Sequence, residues 1–116
     1  MLVEDLVSKF DLQVKSLPKE SCFREVKGGY AGDVLSQVMA SAKPGYVWVT
    51  VQTHENIVAI ASLLDLACII VCQRGLPEET CERARREGVG VLWTDCGVFE
   101  MSGLLYQTFS EAGLKV

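Results

Sequence analysis

The sequence predicts an α/β domain: three layers around a mainly parallel sheet, with a βαβαβα core in the C-terminal two thirds and a helix and edge strands ahead of it. Three observations lead there. The runs YVWVTV, ACIIV and VGVLW are apolar without alternation, as strands buried on both faces are. Each is followed by ten or more residues with helical spacing, the length a crossover between parallel strands requires. The chain has 116 residues, 49% of them apolar, and so fits a single domain over 1–116, since domains commonly run to roughly 100–150 residues.

Leu2, Leu6 and Phe10 stand at four-residue steps with Val3 and Val7 on the same face, which predicts an amphipathic helix over 2–10. LQVKSL then alternates like a half-exposed strand, and Pro18 with its charged followers marks a turn. CFREVKGGYAG reads as a second edge strand running into a glycine turn, in which Gly28, Gly29 and Gly32 permit positive φ. Asp33 suits an N-cap, Val34, Leu35, Val38, Met39 and Ala42 describe the next helix, and KPG at 43–45 stops it. The remaining elements are a strand at 46–51, a helix at 54–66, a strand at 67–71, a helix at 77–87, a strand at 89–93 and a helix at 97–112. Pro77 with Glu78 and Glu79 suits a helix start, and Arg83, Arg85 and Arg86 suit the same helix's negative end.

Eleven basic against fifteen acidic residues leave a net charge of −4, which repels a phosphate backbone and argues against nucleic-acid binding. No run reaches the roughly 18 apolar residues of a membrane span, and MLVEDLVSKF carries acids where a signal peptide carries bases. The expectation is a cytoplasmic protein with no membrane contact. Cys22, Cys68, Cys72, Cys81 and Cys96 form an odd set without the spacing of a zinc ribbon or an iron–sulfur site, which predicts reduced thiols. Cys68 inside LACIIVC acts as a small hydrophobe.

The segments LVEDLVSKFDLQV, GGYAGDVLSQVM, KPGYVWVTVQTHENIVAIA, LACIIVCQRGLPEETCERARREGVGVLWTD and FEMSGLLYQ together resemble the DRTGG domain, a small α/β module found inside larger proteins and as a free-standing chain. The resemblance spans nearly the whole sequence. It departs at the family's namesake: QTHEN stands where embedded members tend to carry Gly-Asp-Arg, and QRG where they tend to carry Gly-Gly. Free-standing relatives with QTHEN-like turns are similar to small proteins encoded beside iron-only hydrogenase genes. The resemblance implies a regulatory or assembly module rather than an enzyme.

In an open parallel sheet the turns after the strand C-termini share one edge, where ligands bind. Here they are 52–54, 72–75 and 94–97. Thr53, His54, Arg74, Gly75 and Asp95 are the candidate ligand residues, with amides at helix starts and the Arg74 guanidinium suiting a small anion such as an adenine nucleotide. Against this, Thr53 with Glu55 is fully accounted for as a helix cap, and Arg74 as a solvated or Glu78/Glu79-paired side chain. Cys72 and Cys96 read as strand-end residues packed under the turns. The alternative function is a metal- or redox-handling accessory of a hydrogenase system, with His54, Cys72 and Cys96 as ligands. GGYAGD lacks the spacing of a phosphate-binding loop, and Asp33 would repel phosphate. The helix at 54–66 is apolar almost all round, so either it lies deep or it meets another chain, and for so short a protein the second is the expectation, with the apolar helix as the ground for a homodimer. The overall expectation is a non-catalytic regulatory or scaffold domain, homodimeric, binding a partner protein or a small anion, with no catalytic or metal-ligating residue assigned.

Overall fold

Unbroken apolar strands need cover on both faces, and the chain supplies it with helices above and below one sheet. The computed structural model describes residues 1–114 and 116. In chain order it contains α1 (Val3–Phe10), β1 (Gln13–Ser16), α2 (Lys19–Cys22), β2 (Gly28–Ala31), α3 (Leu35–Ser41), β3 (Tyr46–Thr50), α4 (Asn56–Leu64), β4 (Cys68–Cys72), α5 (Glu78–Glu87), β5 (Val91–Thr94) and α6 (Val98–Glu111). The sheet order is β1-β5-β4-β3-β2, with β2 to β5 parallel and β1 antiparallel to β5. The three-layer α/β class read from the sequence is the class observed.

Strand residues divide alternately between two cores. Val47, Val49, Cys68, Ile70, Cys72 and Leu92 face α1 and α6, whose Leu6, Met101, Leu105 and Phe109 fill that side. Trp48, Ile69, Val71 and Val91 face the other side, where α3, α4 and α5 contribute Val38, Ile57, Val58 and Ala84. The three crossover helices therefore share one face, and α6 alone returns across the opposite face after β5.

Several local expectations are corrected. The second edge strand is GGYA itself, because residues 24–26 are taken by the N-terminus: Val3 N–H donates to the Arg24 carbonyl at 3.0 Å and Val26 N–H to that of Met1 at 2.9 Å. The glycines of β2 serve close approach rather than positive φ. A Cβ on Gly28 would lie 2.8 Å from Tyr46 Cε1, and one on Gly29 would lie 3.2 Å from Phe109 Cε2. Left-handed glycines occur instead at Gly45, Gly88 and Gly113.

Asp33 does not cap α3; the cap position is Val34, without a side-chain bond. The short α2 after Pro18 was not foreseen, four residues being too few to show a helical period. For α4, the first alternative holds. Ile57, Val58, Ile60 and Ala61 are buried, and Leu63, at 71% exposure, is the one large apolar side chain of α4 open to water. α4 packs on the sheet beneath it and against α5 at its side, so most of its apolar residues are covered within the chain.

Candidate functional site

The parallel strands end at Ala31, Thr50, Cys72 and Thr94, and their turns form one edge of the sheet. Threonine at a strand end organises two of those turns by accepting an amide hydrogen bond from two residues ahead. Thr50 Oγ1 accepts from Gln52 N–H at 3.1 Å, and Thr94 Oγ1 from Cys96 N–H at 3.2 Å. The Asp33 carboxylate ties the β2 and β3 turns together: its Oδ1 accepts from Thr50 Oγ1 at 2.7 Å and from Val51 N–H at 2.9 Å. Gln52 Nε2 adds a bond to the Asp33 carbonyl at 2.8 Å.

The β4 turn is shaped differently. Gln73 adopts a left-handed conformation with φ 68°, which turns the chain sharply and lets its N–H reach the Thr94 carbonyl at 2.8 Å. Its carboxamide lies over Gly97, where an added Cβ would sit 3.8 Å from Nε2. Trp93 Nε1 fixes the next residue by donating to the Arg74 carbonyl at 2.9 Å. Between β4 and β5 the following helices part, α5 to one face and α6 to the other, and such a divergence is where open α/β sheets form a crevice.

Each predicted residue has a definite place. Thr53 is not the cap of α4; its carbonyl accepts from Thr80 Oγ1 at 2.7 Å, joining the β3 turn to α5. His54 serves the helix start instead, because its Nδ1 accepts from Asn56 N–H at 3.1 Å. His54, Glu55, Pro77, Glu79 and Thr80 wall a cleft of about 190 Å³, flanked by two carboxylates. Arg74 is exposed and makes no ion pair among the described residues; Glu78 pairs with Arg85 at 3.1 Å instead. Gly75, next in the chain, and Asp95, in the turn after β5, are exposed, and among the described residues nothing lies within 4 Å of a Cβ built on Gly75.

The edge therefore divides into two parts. Arg74, Gly75, Asp95 and Gly97 flank the β4/β5 divergence, whereas Thr53 and His54 belong to the junction of α4 with α5.

All five cysteines are free thiols. Cys72 is buried with half-buried Cys96 near it on the α1/α6 face, and burial first, then Cys96 and Asp33, push its thiol up to about 11. Burial alone pushes Cys68 up to about 12. Both are protonated at neutral pH and are poor nucleophiles and metal ligands in that state. His54 opens toward α5, away from Cys72. Among the described residues no group of three His, Cys, Asp or Glu side chains is placed to hold a metal ion, so the ligand set His54, Cys72 and Cys96 is not assembled.

Sequence reasoning missed Asp33 as a turn fastener and Gln73 as the pivot of the β4 turn. Asp33 was legible only as a cap, since its partner Thr50 is seventeen residues away. Gln73 gave no cue, because left-handed turns are normally marked by Gly or Asn.

Among solved structures, the chain is similar to the CBS and DRTGG domains of the regulatory region of Clostridium perfringens pyrophosphatase, crystallised with its activator diadenosine tetraphosphate. The TM-score is 0.73 at 15% identity, over 90% of this chain and 45% of that one. This chain has a DRTGG-like fold. At that identity the likeness concerns the fold, and the chain spans less than half the length of the regulatory region it matches. No family model matches the sequence, and no curated protein does. Among the described residues no helix is long and apolar enough to cross a membrane.

Proposed function

We propose that this DRTGG-like chain is a non-catalytic regulatory domain, working as a homodimer, that binds a small polyanion of the adenine-nucleotide class at the β4/β5 divergence. The observation that carries this reading is the turn pair itself. Arg74 is an exposed guanidinium without an ion-pair partner among the described residues, and α6 starts at Gly97 with no side chain bonded to its first amides. A forked cation and open helix-start amides are the two donors a phosphate group takes. Gly75 leaves the approach clear, the Gln73 carboxamide adds a donor beside Gly97, and Asp95 offers an acceptor to a hydroxyl or amino group. Thr53 and His54 stand apart from this crevice, the Thr53 carbonyl bonded to Thr80 of α5 and the His54 ring to the start of α4. The nucleotide activator of the structural neighbour supports the choice of ligand class.

Thermal denaturation against a panel of adenine mono-, tri- and dinucleoside polyphosphates tests it, because a ligand of the folded state alone raises the melting temperature. The expected result is a concentration-dependent rise for the polyphosphates. Arg74→Ala should weaken that binding roughly ten- to hundredfold, the effect of one charge-assisted pair, with its unliganded melting temperature unchanged. Absence of a shift with every nucleotide would overturn the reading.

A further inference from the structure

The two ends of the sheet are built differently: β2 has no lysine, proline or bulge within the strand, and Lys27 just ahead of it is paired with Glu25 at 3.0 Å. An end strand presents outward N–H and C=O groups, which proteins normally guard with lysine, proline or a bulge. At the far end, β1 has such guards: Lys15 is the extra residue of a bulge between Val14 and Ser16, and Pro18 follows. β2 is GGYA, paired to β3 over all four residues without a register shift, and Gly29 and Ala31 are exposed. The Gly32 N–H bonds inward to the Val49 carbonyl at 3.0 Å, so by alternation the amides of Gly29 and Ala31 point outward.

The helices beside β2 extend the same character. α3 has no charged side chain, and α6 has only Glu100 and Glu111. Phe99 is 95% exposed and Tyr106 61%, and their seven-residue spacing puts them on one side of α6. Val34 at the N-cap of α3 and Met39 within it are exposed. Between α6 and β2 runs an apolar groove of about 220 Å³, walled by Gly29, Ala31, Ser102, Tyr106 and Phe109. The buried Ser102 Oγ in that wall has no hydrogen-bond partner among the described residues.

We infer that the β2 end is a homodimer surface, on which β2 of two copies pair antiparallel across a twofold axis so that one sheet runs through both. A second copy fits because a twofold contact needs one patch that complements itself, and this end carries both an exposed aromatic, Phe99, and a groove. Charge depletion with enriched aromatics is the composition of an interface core. The axis stands normal to the sheet, so α6 meets α6 on one face and α3 meets α3 on the other. The inference rests on the self-association included in the proposed function and adds the surface.

Amide hydrogen exchange read by NMR, on a sample whose mass is measured by light scattering, tests it. The expected result is a dimer in which the Gly29 and Ala31 amides are slowed by about 100-fold or more relative to the same protein diluted to monomer. Ala31→Pro removes one outward N–H and should give a folded monomer; Ala31→Lys, which keeps the backbone unconstrained, should do the same if the proline variant fails to fold. A dimer with freely exchanging Gly29 and Ala31 amides would overturn the surface while leaving self-association and nucleotide binding standing. A monomer at all concentrations would overturn both the surface and the dimer, and nucleotide binding is read separately from the thermal shifts.

Discussion

The β1 and β2 ends of one sheet differ in strand geometry and in the chemistry of the helices beside them. At the β1 end, α5 carries EETCERARRE, and its arginines are engaged locally: Arg83 Nε pairs with Glu87 at 2.6 Å and Arg85 with Glu78 at 3.1 Å. Such exposed pairs add only about 0–1 kcal/mol each, so their main effect is a solvated surface. At the β2 end the same layer is occupied by the uncharged LSQVMAS of α3, and the opposite layer by an α6 with an exposed phenylalanine near its start. The two ends differ in backbone as well as in surface chemistry, since β1 is antiparallel and bulged where β2 is parallel and regular. Much of that difference lies in side chains that the core does not use.

Two substitutions sharpen that contrast. The larger effect is expected at β2, where the strand is fitted by contact. Gly28→Ala places a methyl 2.8 Å from the Tyr46 ring, and overpacking of this kind should cost roughly 1–3 kcal/mol in urea denaturation. A variant as stable as the parent would mean that the ring moves aside freely. The smaller effect is expected at β1. Lys15→Val should change stability by no more than about 0.5 kcal/mol, since Lys15 sits in a bulge, but should raise association at high concentration by unguarding that edge. Unchanged light scattering up to the solubility limit would show that lysine is not the guard.

Alkaline pH offers a third comparison, between the buried thiols and the surface. Cys68 has its thiol raised from 9.0 to about 12 by burial. A group raised in the folded state favours folding below its unfolded value and loses that contribution as pH climbs toward the folded one. Stability should therefore fall between pH 9 and 12, and Cys68→Ala should flatten part of that fall. A profile identical in both proteins would count against burial of that thiol as the cause.

The sheet was legible in the sequence because its strands are unbroken apolar runs and its crossovers carry strong start and stop residues, such as Pro77 before α5 and Gly88 after it. Element ends and turn chemistry were less so. Asp33 reads locally as a cap, yet its carboxylate is claimed by Thr50 and Val51 across the sheet edge, a contact no local pattern encodes. Likewise GGYA reads as a turn because glycine usually signals one, whereas the aromatic rings of Tyr46 and Phe109 demand glycine within a strand. Of the candidate site, the sharing of one edge by three turns followed from the parallel order. The division of that edge followed from α6 crossing to the other face, and the periodicity of a helix does not reveal which face it will take.

If the β2 end is the dimer surface and the β1 end is not, one aspartate placed at each end distinguishes them. Light scattering across a concentration series should find the parent dimeric, Phe99→Asp at the β2 end monomeric, and Val14→Asp at the β1 end, where Val14 is 50% exposed, dimeric like the parent. Loss of the dimer in Val14→Asp with its retention in Phe99→Asp would contradict that assignment.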